Sequence, residues 1–518
     1  VEIVDNRALL LETAEPKKIT DSIKKSAVVA TKGSKYKVLV RWGLEEAQTL
    51  ALLKHKDVPS PILRDYKWTG KHQPFAHQKT TASFLTLHDR AFCFNEQGTG
   101  KTASVIWAAD YLIKRGEIKR VLVLCPLSIM KSAWQQDLFT FAMHRSCGVA
   151  HGDAKTRKKV VAAGAEFVIV NFDGLAIIKD DIINSGFDLI VVDEANAYKN
   201  AQTNRWKVLN DIIKQTSPML WMLTGTPAAQ SPLDAYGLAR LVSPEKAPKY
   251  FSHFRAETMY QVTKFKWAPK PGSEAYVHSV LQPAIRFEKK DCLDLPDVTY
   301  LDRDAPMTPQ QQKYYKQLKS EMLLEAAGEE VSAVNAAVKI NKLLQISGGA
   351  VYSDSGEVLE FDVSNRMNAV LEVIEEASNK VLVFVPFTHT IELLRRKLEK
   401  EGISCDVING KVPVNKRTDI VTRFQTEKTP HVLLIQPQAA SHGLTLTAAD
   451  TIIWYAPVTS VETYLQANAR INRPGQKNAM TVVHIRGSDV EDKLYSMLRG
   501  NINNHERIID LYRQITGG

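Results

Sequence analysis

Cysteine is scarce in this chain. There are five in 518 residues, Cys93, Cys125, Cys147, Cys292 and Cys405, odd in number and without a C-x-x-C pair. That argues against a disulfide framework and leaves a zinc site unsupported; reduced, buried thiols in a cytosol are expected. Long apolar runs are missing as well. The longest, over residues 121–130, is interrupted by Pro126 and falls short of the ~18 residues a membrane span needs. No signal-peptide pattern stands at the start, and the missing initiator Met predicts a processed N-terminus. Low-complexity tracts and zinc-finger, metal-nuclease or histone-reader patterns are absent too. What is present is a globular composition, 44% hydrophobic and 24% charged, at a length that predicts two or three domains. Lys and Arg outnumber Asp and Glu by 67 to 57, a formal charge of +10. That excess suits a polyanionic partner, although many basic proteins have none.

Residues 1–70 read as a small α+β accessory unit. The segment 1–12 alternates around Asn6 like two short strands, Thr20 or Asp21 is expected to cap a short helix, and 36–42 alternates again. Gly43 then precedes a helix-forming stretch to Leu53, broken by Val58-Pro59-Ser60-Pro61. Lys24, Lys25, Lys32, Lys35, Lys37 and Arg41 form either a basic face for a partner or a merely solvated surface. From His77 the rhythm changes. Residues 121–125, 167–170, 189–192 and 220–223 are apolar at consecutive positions, and the pattern returns at 381–385, 432–435, 451–455 and 481–485. Such runs belong to strands buried on both faces of parallel sheets, so two α/β sheets are predicted, separated by a helical stretch that includes 310–326 and 332–344.

Asn95-Glu96-Gln97-Gly98-Thr99-Gly100-Lys101-Thr102 follows a strand-like segment and opens a helix that ends at Lys114-Arg115-Gly116. Glycines there let backbone N–H groups close around phosphates; Lys101 would neutralise the β- and γ-phosphates and Thr102 would hold Mg²⁺. Asn95 stands where the full phosphate-loop pattern wants glycine. Asp193 and Glu194 end the apolar run 189–192, which places Asp193 on the metal and Glu194 on the attacking water. Far downstream, Thr459 and Glu462 form a capping-box pattern, and Pro474-Gly475 is the expected stop. Gln466, Arg470 and Arg473 would then share one helix face opposite Val461, Leu465 and Ala469, with the arginines as fingers. These parts lie on different sheets, so the site is expected to be complete only when the lobes close.

From Phe75 to Tyr495 these segments resemble, in order, the SWI/SNF-like branch of helicase superfamily two; the wording of Gly225–Ala228 and Gly443–Thr447 is closest to its compact, HARP-like annealing-helicase subgroup and to similar phage-encoded proteins. The resemblance rests on Phe75 and Gln78 before the phosphate loop, VLVLCPLSIMKSAW at 121–134, Asp193-Glu194-Ala195-Asn196 with Lys199-Asn200, and Leu223-Thr224-Gly225-Thr226-Pro227. Leu295-Pro296, VLVFVPFT at 381–388, Gly410, Arg417, Phe424, GLTLTAAD at 443–450 and RINRPGQ at 470–476 continue it. It implies two RecA-like lobes with helical insertions, divided as 71–243 (lobe 1), 244–296 (helical linker), 297–500 (lobe 2) and 501–518 (C-terminal helix). It implies ATP read by Phe75, Gln78 and residues 98–102, Mg²⁺, and a cytoplasmic, nucleoid-associated monomer of a bacterial or phage-infected cell. Phosphate contacts to DNA would come from Ser128, Lys131, Asn171, Lys199, Thr388, His389, Ser441, His442, Gly443 and Thr445. Coupling would run through Asn196, Thr224, Gly225, Thr226 and Asn472. Asn196 and Asn472 stand where the family has histidines of the coupling network, so hydrolysis is expected to survive and the change to fall on its coupling to DNA. Trp134 reads better as core packing than as a base contact. The implied activity is ATP-driven movement on double-stranded or branched DNA, with a protein partner possible through residues 1–70. A strand-separating helicase, and a recycling or clamp factor on a protein complex such as RNA polymerase, are the alternatives.

Overall fold

A computed structural model describes residues 1–500 apart from 71, 226, 229–230, 263–266, 293–295, 327–332, 353–357, 441–443 and 474. Thr226, Leu295, Ser441, His442, Gly443, Pro474 and the helix expected over 501–518 therefore lie outside the described residues. The chain divides into two compact units, Val1–Cys292 and Leu293–Gly518.

The first unit begins with an antiparallel sheet of order β1-β2-β4-β3, made of Glu2–Val4, Ala8–Thr13, Ser26–Lys32 (β3) and Lys35–Arg41 (β4). Strand β3 has no alternation and was not foreseen: Val28 and Val29 are both about half exposed on this edge strand. The early helix, Pro16–Ser22, starts from Glu15 with Pro16 in its first turn, so Thr20 and Asp21 lie inside it rather than capping it. Leu9, Leu11, Ile19, Val38, Val40, Trp42 and Leu50 close this small core.

The large sheet of the first unit is parallel, in the order β13-β5-β10-β9-β6-β8-β7. In chain order its strands are β5 (Arg90–Cys93), β6 (Val121–Cys125), β7 (Cys147–Ala150), β8 (Phe167–Asn171), β9 (Leu189–Asp193) and β10 (Met219–Leu223). A two-strand ribbon, β11 (Met259–Gln261) and β12 (Trp267–Pro269), precedes β13 (Ala284–Ile285). The consecutive apolar residues now have a physical reason. Val121, Val123 and Cys125 enter the core on one face of the sheet, while Leu122 and Leu124 enter the core on the other. Each such side chain contributes ~1.5–3 kcal/mol by leaving water. The stretch 244–296, expected to be helical, thus also carries a ribbon and a strand that pairs with β5.

The second unit repeats the grain. Its parallel sheet runs β14-β21-β20-β17-β19-β18, from β14 (Val298–Asp304), β17 (Lys380–Phe384), β18 (Cys405–Ile408), β19 (Val432–Ile435), β20 (Ala449–Trp454) and β21 (Met480–Arg486). A small ribbon, β15 (Ala350–Tyr352) with β16 (Val358–Glu360), lies beyond the helices Pro309–Ala326 and Ala333–Gly348. Residues of alternate parity again fill two cores. Two parallel sheets, each covered on both faces, are the architecture expected of RecA-like lobes.

The helix Lys101–Arg115 is anchored through its middle by Asp110, whose side chain is fully buried. Asp110 accepts from the Tyr66 hydroxyl at 2.5 Å, Arg145 Nε at 2.6 Å, His144 Nε2 at 2.8 Å and Lys114 Nζ at 2.8 Å. Burial alone would push this carboxyl up; hydrogen bonds from Lys114, Tyr66, Arg145 and His144 outweigh it and hold the carboxyl at about 2. A depressed carboxylate stabilises the fold above its unfolded value near 3.8 and loses that stabilisation as pH falls towards about 2. Asp110→Asn is therefore expected to lower the urea midpoint at pH 7 and to flatten its fall between pH 4 and 2. An unchanged acid slope in the variant would contradict this.

Candidate active site

Strand β5 delivers the chain into a loop with Gly98 and Gly100 at φ +83° and +78°, conformations that glycine adopts without penalty. The helix Lys101–Arg115 follows, closed at Gly116 with Lys114 and Arg115 in its last turn. Free N–H groups and the positive end of the helix dipole thus face the loop, a setting for phosphate. Lys101 Nζ donates to the carbonyls of Asn95 (2.9 Å) and Glu96 (3.3 Å). Asn95 is buried and works as a brace: its amide donates to Thr81 Oγ1 at 2.8 Å and its carbonyl accepts from Phe287 N–H at 3.0 Å. Glu96 N–H donates to Phe287 O, and Glu96 Oε2 accepts from Lys289 N–H, both at 2.9 Å. The sequence offered no signal for this backing by residues 287–289. Gln78, buried at the start of helix Ala76–Thr86, accepts from Phe75 N–H at 2.9 Å and donates to Thr99 O at 3.3 Å. His77 reaches the same carbonyl at 2.8 Å, while the Phe75 ring is about half exposed and stacks on His77.

Leu223 is level with both Cys93 and Asp193 in the parallel register, so the ends of β5, β10 and β9 align. Asp193 Oδ1 accepts from Glu194 N–H at 3.0 Å, and Oδ2 accepts from the indole N–H of Trp134 at 2.9 Å. Burial raises the Asp193 carboxyl above its ordinary range; the Lys101 charge and the hydrogen bonds from Trp134 and Glu194 oppose this. Glu194 itself sits at φ +53°, ψ +54°, a left-handed backbone that costs a non-glycine residue on the order of 1 kcal/mol and concentrates at functional sites. Asn196 and Lys199 follow in and after the short 3₁₀ turn Ala195–Tyr198, with Lys199 Nζ 3.4 Å from Asp234. Thr224 N–H donates to Cys93 O at 3.1 Å. A Cβ on Gly225 would approach Gln97 Cγ to 3.2 Å, so this turn lies against the phosphate loop.

Among the described residues no cluster of three or more His, Cys, Asp or Glu could hold a metal. Mg²⁺ does not require one, because it keeps waters and uses one or two carboxylates with substrate phosphates. Asp193, with each oxygen steadied by one donor, together with Thr102 in the first turn after Lys101, fits that kind of site.

The remaining residues of the first unit fall on turns beyond strand ends. Ser128 is in a 3₁₀ turn, Leu127–Ile129, and Lys131 is exposed on the π-helical turn Met130–Gln135. Asn171 ends β8 and accepts from Arg157 at 2.9 Å. Trp134, expected to be core, is fully buried, but its contact with Asp193 also makes it part of the site.

In the second unit the structure corrects the finger helix. Its cap is Ser460, which accepts from Thr463 N–H, rather than Thr459, and the helix Val461–Asn468 stops before either arginine. Leu465 is 37% exposed whereas Gln466 is buried, so the expected apolar stripe and polar face are partly exchanged. Arg470 is buried and donates to the carbonyls of Gln466 (2.9 Å) and Leu444 (3.2 Å). Arg473, half-buried, donates to Ala469 O at 2.9 Å and to the hydroxyl of exposed Thr445 at 3.1 Å. Asn472 is half-buried between them. Gln476 locks the following loop, donating to Ala449 O at 2.8 Å. Thr388 opens the helix Thr388–Lys400, and His389 Nε2 bonds to Ala350 O at 2.7 Å.

An SNF2-related domain matches residues 77–348, more than half of the chain, and a helicase conserved C-terminal domain matches residues 365–475. The chain belongs to the SNF2-related family. Mouse chromodomain-helicase-DNA-binding protein 1-like is 26% identical over 423 residues, covering 77% of this chain and 46% of that protein. An ATP-dependent helicase of Mycoplasma genitalium is 26% identical over 398 residues, covering 76% and 37%. This SNF2-related chain thus spans less than half the length of these two relatives. Protein p41 of Acyrthosiphon pisum secondary endosymbiont phage 1 is 25% identical over 450 residues, covering 81% and 94%. The Sulfolobus solfataricus SWI2/SNF2 ATPase core solved with dsDNA is 23% identical at a TM-score of 0.42, covering 87% and 94%. Family membership makes this SNF2-related protein a helicase-like, ATP-hydrolysing enzyme.

Gly100→Ala places a side chain in left-handed backbone and against the Gln78 amide. It is expected to weaken nucleotide binding at least tenfold in a fluorescent-nucleotide titration, with little loss of thermal stability. Binding within twofold of the parent would contradict the assignment of this loop.

Proposed function

We propose that the chain is a double-stranded DNA translocase that remodels branched DNA or protein–DNA complexes, driven by ATP hydrolysis at the Lys101–Asp193 site. The observation that carries the reading is Lys131, exposed on the π-helical turn that follows β6 and its 3₁₀ turn, three residues from the indole that holds Asp193. A phosphate contact there would sit next to the nucleotide chemistry. Ser128 lies in a 3₁₀ turn, Asn171 ends β8, Thr388 and His389 open a helix, and Lys199 and Thr445 lie in irregular segments; polar side chains in such places can meet a backbone without reading bases. The name of the mouse relative includes DNA binding, which supports the same reading.

In this mechanism Lys101 neutralises the β- and γ-phosphates, Glu194 orients the attacking water, and Gln78 with Phe75 holds the base. Thr102 and Asp193 would hold Mg²⁺, which when bound offsets charge on the transferring phosphoryl group. Arg473 is the better finger, because it is half-buried beside exposed Thr445 whereas Arg470 is buried. Gln466 and Arg470 then build the segment that presents it, while Asn196, Thr224, Gly225 and Asn472 serve the coupling of hydrolysis to DNA.

Duplex DNA is expected to raise ATP turnover at least tenfold above single strands or RNA, and a triplex-displacement assay should report ATP-dependent tracking. Equal stimulation by single strands would favour strand separation; no response to any nucleic acid would overturn the DNA reading. Arg473→Ala should leave ATP binding within about twofold and lower turnover by about 10³. Loss of binding instead would remove Arg473 from the finger role.

A further inference from the structure

The π-helical turn Met130–Gln135 is an unusual element with a definite spatial result. It joins the 3₁₀ turn Leu127–Ile129 to the α-helix Gln136–Ala142 without a break. On an α-helix, residues three apart are neighbours on one face. The wider i→i+5 turn separates them here: Lys131 is exposed and Trp134 is fully buried. The buried indole N–H finds its partner in Asp193 Oδ2 at 2.9 Å, 59 positions away in the chain. Since Glu194 N–H takes Oδ1 at 3.0 Å, the carboxylate is held from two sides and its plane is set.

We propose that Trp134 is a positioning residue for the metal-side carboxylate, and that the π-turn links a strand held at Lys131 to the metal affinity of Asp193. The inference rests on the reading above for both metal and DNA. The indole supplies no charge; its part is to keep one oxygen of Asp193 engaged so that the other lone pairs point in a fixed direction. Partners of this kind behind metal ligands typically alter metal affinity or activity by about 10–100-fold. Because Lys131 and Trp134 share one short piece of backbone, a shift at the first moves the second.

The test uses the whole chain. Trp134→Phe keeps an aromatic ring and removes the N–H. It is expected to raise the Mg²⁺ concentration for half-maximal turnover at least tenfold and to abolish the tightening of ADP binding by Mg²⁺, while metal-free ADP binds as in the parent. Duplex DNA should lower the Mg²⁺ requirement in the parent and leave it unchanged in the variant. Equal weakening of metal-free and Mg²⁺-bound ADP would make Trp134 merely structural, and an unchanged Mg²⁺ requirement would overturn the proposal. Should the variant fail to fold, Mn²⁺ with ADP added to the ¹⁵N-indole-labelled parent should broaden one of the eight tryptophan indole resonances far more than the rest. Uniform or absent broadening despite bound Mn²⁺ would also overturn it. Failure of the DNA reading shows separately, as absence of DNA stimulation in the parent with the Mg²⁺ results intact.

Discussion

Cys93, Leu223 and Asp193 stand in one row across three parallel strands, and the nucleotide site of the first unit is laid out from that row. Beyond it the chain leaves β5 as the phosphate loop, β10 as Thr224-Gly225 and β9 as Asp193-Glu194. A slip of one residue in β9 would turn the carboxylate to the other face of the sheet. Such a slip would also exchange Ile190 and Val192 with Leu189 and Val191, so each core would meet side chains of the wrong shape. Packing and chemistry are therefore one specification here: the apolar run before Asp193 fixes where the acid emerges.

Much of this was legible in the sequence because it is written in local composition. Runs such as 121–125 and 432–435 can be satisfied only with both strand faces covered, and glycines on either side of Thr99 mark a backbone that closes on itself. Elements without a local signature were not legible. Strand β13 is two residues long and owes its existence to the open edge of β5. Strand β3 carries small, exposed residues without alternation. The spacing of Gln466, Arg470 and Arg473 predicts a longer helix than forms: the chain leaves it at Ala469 and the arginines turn back to carbonyls. Nothing near Trp134 in sequence announces an acid 59 positions later.

Two asparagines, one in each unit, illustrate how one side-chain chemistry takes different duties. Asn95 replaces a glycine in the general phosphate-loop pattern and spends both ends of its amide joining the loop to Thr81 and Phe287. Asn472 stands between Arg470 and Arg473, where the resemblance leads one to expect a histidine. The first makes the loop stiffer by tying it to neighbours that belong to other segments. The second changes a titratable ring for a group that keeps its hydrogen-bonding at any pH, which frees this position from protonation as a variable.

Asp110 carries one more implication. Its partner Tyr66 belongs to the strap that leads out of the small N-terminal sheet, and that strap continues through Thr69, whose hydroxyl bonds to Phe141 O and whose carbonyl receives the Trp107 indole. The strap is stitched to the flank of the helix whose first residue is Lys101. A chain trimmed at residue 70 would therefore surrender more than an accessory sheet: it would leave a buried acid short of a donor and Trp107 without its acceptor, four turns or less from the phosphates. Residues 66–69 are thus part of the packing of the phosphate-loop helix, and a movement of the small N-terminal sheet would be felt along that helix.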